Sequence, residues 1–153
     1  MLRINYLAVI AAATAALLEG AVWYSPLLFG EAWTTLRGMD PGAMANPKIP
    51  IGEMIAEFAR ALVVAYVLAR FVVLFGVVDW KGAVQIGIWV WVGFQATAVM
   101  GAVIHENYPW ALYAIHAGDA LVKTLVMAAI LGTWPKSKVS PEARSAGDGK
   151  EQN

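Results

Sequence analysis

Residues 83–104 read AVQIGIWVWVGFQATAVMGAVI, from Ala83 to Ile104, without a single charged side chain. A hydrocarbon core about 30 Å thick is crossed by roughly 20 helical residues, so this stretch reads as a membrane helix. Three further stretches reach the same length. Ile4 to Tyr24 is broken only by Asn5, Thr14 and Glu19; Met54 to Val78 carries Glu57, Arg60 and Arg70; Trp110 to Trp134 carries His116, Asp119 and Lys123. Every proline lies outside the four stretches, which suits uninterrupted helices. The expected fold is all-α: an integral membrane four-helix bundle over residues 1–134, followed by a polar, disordered tail over 135–153.

Composition agrees with this reading. The 153 residues are 59% hydrophobic and 14% charged, against roughly 45–50% and 25% in soluble domains. Eleven basic and eleven acidic residues cancel, which leaves no electrostatic footprint for nucleic acid. The absence of cysteine excludes disulfides, thiolate metal sites and thiol nucleophiles. Arg3 and the alanine-rich stretch after it also have the outline of a secretory signal peptide. Apolar character resumes after Glu19, however, and ends in Trp23-Tyr24, so a retained first helix is the reading adopted.

Basic residues orient the chain. With four spans, Arg3, Lys81, Lys136, Lys138, Arg144 and Lys150 share one side, and only Arg37 and Lys48 face the other. The positive-inside rule then puts both termini in the cytoplasm. Trp23, Trp33, Trp80, Trp110 and Trp134 fall at or near the boundaries, as an aromatic belt does, while Trp89 and Trp91 lie inside the third span. Asp79 to Gly82 and His105 to Pro109 are tight connections, so spans two, three and four are expected to form a meander. The longer outer loop, Ser25 to Glu53, places Phe29, Trp33 and Leu36 at helical spacing, a short interfacial helix. Asp40-Pro41-Gly42 and Asn46-Pro47 read as turns.

In lipid, small residues let helix backbones approach closely. Ala8, Ala12, Ala16 and Gly20 form one such stripe and Gly93, Thr97 and Gly101 another. Either could pack the bundle or join copies into a homo-oligomer; the other expected partner is the lipid bilayer.

The scarce charges are the informative residues, because ionisable groups in a span usually face the bundle or a wet cavity. At a rise of ~1.5 Å per residue, Glu19, Glu57, Arg60, His116 and Asp119 all fall in the outer half. They form a candidate intramembrane polar network on three helices. One reading is structural: Arg60 bridges Glu57, Glu19 and Asp119, and Lys123 pairs with Asp119. A second is a cavity in which Glu19, His116 and Asp119 relay protons or bind a cationic solute. A third, a metal site among His105, Glu106, His116 and Asp119, is disfavoured by a depth difference of about 9 Å or more. No metal or cofactor is assigned. No catalytic residue is assigned either, since Gly-x-Ser-x-Gly, Walker and dinucleotide motifs are absent.

The run Gly20-Ala21-Val22-Trp23-Tyr24-Ser25-Pro26-Leu27-Leu28-Phe29-Gly30, followed by Trp33, resembles the opening signature of a bacterial membrane-protein family known only as domain of unknown function 1761. The similarity resumes at Glu106 to Trp110 and from Leu125 to Trp134. The resemblance implies a small four-span protein of the bacterial cytoplasmic membrane and no particular activity. Physically, Trp23 and Tyr24 read as interface anchors, Ser25-Pro26 as a helix stop, and Phe29, Gly30 and Trp33 as a turn along the surface. The expected role is that of a small, non-catalytic multi-pass membrane protein. The alternative is a small transporter or proton-coupled permease subunit.

Overall fold

The computed structural model describes residues 3–40 and 50–134. The turns read at Pro41-Gly42 and Asn46-Pro47, and the tail from Pro135, lie outside the described residues. Helix α1 (Tyr6–Trp23) starts where the Asn5 side chain accepts hydrogen bonds from the backbone N–H groups of Leu7 and Ala8, at 3.0 and 3.3 Å. It stops at Ser25-Pro26. There the Ser25 hydroxyl donates to the Val22 carbonyl at 2.7 Å, and the Ser25 carbonyl accepts from Leu28 and Gly30. That turn leads into the short helix α2 (Gly30–Leu36).

Helix α3 (Ile51–Leu74) begins directly after Pro50, three residues before the start expected from hydropathy. It also ends earlier, because Gly76 adopts φ +65°. Gly76 and Val77 donate back to Val73 and Val72 at 3.1 and 3.0 Å, the paired bonds of a Schellman C-cap. Hydropathy could not see this stop, since the residues beyond it are also apolar.

The third apolar stretch begins at α4 (Trp80–Val90), whose Asp79 cap accepts from Gly82 N–H at 2.8 Å. It widens into a π-helical segment (Trp91–Ala96) before α5 (Thr97–His105). The helix is continuous from Trp80 to His105, as expected, but its pairing is not α-helical throughout. The absence of proline preserves every N–H donor, but does not prevent the i→i+5 pairing of a π-turn. Helix α6 (Trp110–Thr133) follows Pro109.

α6 is the hub, in contact with all the other helices and with the π-segment. The meander is only partly realised: α4 packs closely on α6, whereas α3 packs mainly on α1 and touches α4 lightly. The small face of α1 permits this. Ala8, Ala12 and Ala16 are buried against Ala65, Leu68 and Ala69 of α3 and Met127 and Leu131 of α6. The second stripe has no such partner, and a Cβ built on Gly93 or Gly101 meets nothing within 4 Å. By length and composition, three helices could cross a membrane: α1, the continuous 80–105 helix and α6. Helix α3 is as long as α6 but carries Glu53, Glu57, Arg60 and Arg70, and is set apart from those three by its charges.

Candidate functional site: a polar cluster between α1, α2 and α6

One end of the bundle gathers polar and aromatic groups from α1, α2 and α6. Trp23 sets the geometry. Its ring lies so close to Gly118 that a Cβ there would sit 3.0 Å from it, and its indole N–H donates to the Ile115 carbonyl at 3.2 Å. Trp91, from the π-segment, donates to the Ala117 carbonyl at 2.8 Å. Two indoles from different helices thus grip neighbouring carbonyls of α6. The polar end of Trp23, expected at the water boundary, is directed to α6 instead.

With α1 held this way, Tyr24 and His116 meet at 2.9 Å between the phenol oxygen and Nδ1. The tyrosine ring is edge-on to Trp33 (5.4 Å between centroids) and tilted against His116 (5.9 Å); the Tyr108 ring also lies against the histidine, at 6.1 Å. Burial raises the pKa of the Tyr108 hydroxyl against the opposing pull of Arg37. Trp23 stacks on Phe29 at 4.6 Å, and the Arg37 guanidinium lies 5.0 Å from the centre of the Trp33 ring. Gly30 is buried at the start of α2. The motif residues Trp23, Tyr24, Ser25, Pro26, Phe29, Gly30 and Trp33 therefore form a turn, and its aromatic members fold over the α6 end.

Beneath them lies the charge. The Lys123 ammonium is 2.8 Å from Asp119 Oδ1 and donates to Oδ2 at 2.9 Å, with the two side chains only 14% and 10% exposed. Oδ1 makes ionic contact but no aligned hydrogen bond. The ammonium fits because residue 20 is glycine: a Cβ there would lie 2.7 Å from Nζ. It also stands 5.7 Å from the Tyr24 ring centre. Glu19 lies within electrostatic reach of both Asp119 and Lys123, yet among the described residues its Oε2 is buried without a hydrogen-bond partner, as is the Trp33 indole N–H.

The structure thus brings Glu19, His116 and Asp119 together around Tyr24 and Lys123. Arg60 stays within electrostatic reach of Asp119 and Tyr24, but among the described residues neither it nor Glu57 forms an ion pair with that group. Arg60 donates twice to Glu57 of its own helix, at 2.7 and 3.1 Å, with both side chains more than half exposed. The Arg60 bridge to Glu19 and Asp119 is not formed; among the described residues the ion pairs within 4 Å are Arg60–Glu57 and Lys123–Asp119. A periodicity argument fixes which residues share a helix face, but not how the helix is rotated. Among the described residues no group of three or more His, Asp or Glu side chains is arranged to hold a metal.

Two groups in this region escape a reading based on charge. Thr124, almost wholly buried, donates to Gln95 Oε1 at 2.9 Å, tying the π-segment to α6. The available signal was one of two glutamines, Gln85 and Gln95, inside a charge-free stretch.

Fold and site define an all-helical protein with several helices of membrane-crossing length and a polar cluster at one end of the bundle. The family model described as "Protein of unknown function (DUF1761)" matches residues 7–132, and the chain belongs to that family. Neither the curated proteins nor the solved structures provide a match.

Proposed function

We propose that the protein is a four-span integral membrane protein of the bacterial cytoplasmic membrane, with both termini cytoplasmic and a non-catalytic role. In this reading the cluster of Glu19, Tyr24, His116, Asp119 and Lys123 organises the outer half of the bundle. The observation that carries it is the Asp119–Lys123 pair, about nine-tenths buried on the largely apolar α6. A charge pair in that position is costly unless its partners are fixed, and the Gly20 notch and the aromatic groups above it fix them. The test is a charge swap. Asp119→Lys and Lys123→Asp should each lower the yield of folded, monodisperse protein, and the double variant should recover most of it. A double variant no better than either single one removes the structural reading.

A second reading, a proton-coupled permease subunit, is favoured by one observation: Glu19 adds a second carboxylate beside a single ammonium and leaves Oε2 unpartnered. The wild-type protein in liposomes loaded with a pH-sensitive dye should then pass protons when a potential is imposed. Glu19→Gln should abolish that flux without changing helicity. Wild-type flux equal to that of empty liposomes removes this reading.

A further inference from the structure

The outward faces of the bundle differ in chemistry. Between its ends the 80–105 helix is largely uncovered but shows no charge: Ile88, Trp89, Val92, Phe94 and Ile104 are exposed, with Gln85 and Thr97 as uncharged polar exceptions. Lipid satisfies such a face. The outer half of α3 is equally uncovered, from Ile51 to Glu57 and at Ala59 and Arg60, yet it presents Glu57 and Arg60 with side chains 52% and 59% exposed. Measured along α3, Glu57 lies about 9 Å and Arg60 about 14 Å from Ile51. On the four-span reading, on which this inference rests, both then sit within the hydrocarbon. A single internal ion pair there still leaves carboxylate oxygens and guanidinium N–H groups without partners, at a cost that lipid tails do not relieve.

We infer that the Glu57–Arg60 face of α3 is the contact surface of a homodimer, in which each Glu57 carboxylate also accepts from the partner's Arg60. The pair is self-complementary under a two-fold axis, where residue i meets residue j and j meets i. For parallel helices about such an axis, Glu57 stands level with the partner's Glu57. Arg60 is three residues, or about 4.5 Å, deeper, an offset an arginine side chain can span. The result is a closed ring of two carboxylates and two guanidiniums, in which the planar fork of arginine can serve two carboxylates. Val63 and Val67 continue the same face inward and are exposed, 64% and 40%, so the ring has an apolar continuation along the contact. This surface is separate from both small-residue stripes: the α1 stripe is buried in the bundle and the Gly93-Thr97-Gly101 stripe lies on another helix.

The test uses two differently tagged full-length copies co-expressed and captured from mild detergent. Wild-type copies should co-purify. Glu57→Arg and Arg60→Glu should each weaken self-association by more than about tenfold, since like charges then face each other. Co-expressing the two single variants should restore association, because every facing pair is then opposite in charge. A defect confined to folding within one chain would not be rescued by mixing. The uncharged double variant Glu57→Gln with Arg60→Gln should fold like wild type and associate about tenfold more weakly. Wild-type copies that do not co-purify, single or uncharged variants that associate normally, or a mixture that stays apart overturn the inference. Labelling of Ile51→Cys and Val78→Cys separates the two levels. Access from opposite sides with no association defeats the dimer alone, whereas access from the same side defeats the four-span reading beneath it.

Discussion

Lys123 shows how a charge is accommodated inside this bundle. Its ammonium is held by Asp119, lies under the Tyr24 ring and occupies the space left by Gly20. Removing one partner is expected to cost more than removing both. Asp119→Ala should destabilise by about 3–5 kcal/mol, while Asp119→Leu with Lys123→Met should be near neutral or stabilising; thermal unfolding in one detergent compares them. Gly20→Ala should also lower Tm. The added Cβ meets the flexible end of Lys123 rather than backbone, so the loss, about 1–2 kcal/mol, should be smaller than that of Asp119→Ala. The types and spacing of these residues were legible as sequence: His116, Asp119 and Lys123 share a face of one helix. That Glu19 is turned inward beside them while Arg60 stays more than half exposed was not legible, because it depends on the rotation of α1 and α3 about their own axes.

At the scale of elements, glycines separate helix faces that are packed from faces that are free. A Cβ on Gly132 would lie 2.5 Å from the Trp80 backbone and 2.7 Å from the Ala83 side chain, whereas one on Gly101 meets nothing within 4 Å. Gly132→Ala should therefore destabilise by about 1–3 kcal/mol by forcing α4 and α6 apart. Gly101→Ala should raise stability by up to about 1 kcal/mol through helix propensity. The π-segment supplies a second contrast. Thr124→Val leaves the Gln95 carbonyl oxygen without its donor and should cost about 1–3 kcal/mol. Thr97→Val, which loses only an exposed bond to its own helix, should be nearly silent. Chemical denaturation of the four variants gives the comparison. The α1 stripe and the Gly93-Thr97-Gly101 stripe look alike in sequence, but only the first meets neighbouring helices in the fold.

For the molecule as a whole, the strongest consequence concerns sidedness. Thr35 is exposed on α2, on the side assigned to the exterior, and Ser140 lies in the tail assigned to the cytoplasm. Thr35→Cys should react with an impermeant maleimide in intact cells, and Ser140→Cys only after the membrane is opened. Reaction of both before lysis contradicts the topology.

What the sequence determined by itself was the class. Charge-free or nearly charge-free runs of membrane length leave no fold but a helical one, because every backbone N–H and C=O must be satisfied within its own segment in lipid. Family membership was equally legible, in Gly20 to Gly30 and Trp33, because a turn between two packed helices constrains nearly every residue in it. Tertiary structure alone decided the rest: that α3 lies against α1 more than against α4, that two tryptophans grip α6, and that Glu57 and Arg60 form an exposed pair while Asp119 and Lys123 form a buried one. Hydrophobic periodicity reports how apolar a helix face is, whereas which face meets which neighbour is set by the fit of small residues such as Ala12 and Gly132 against particular partners, and that fit exists only once the helices are in contact.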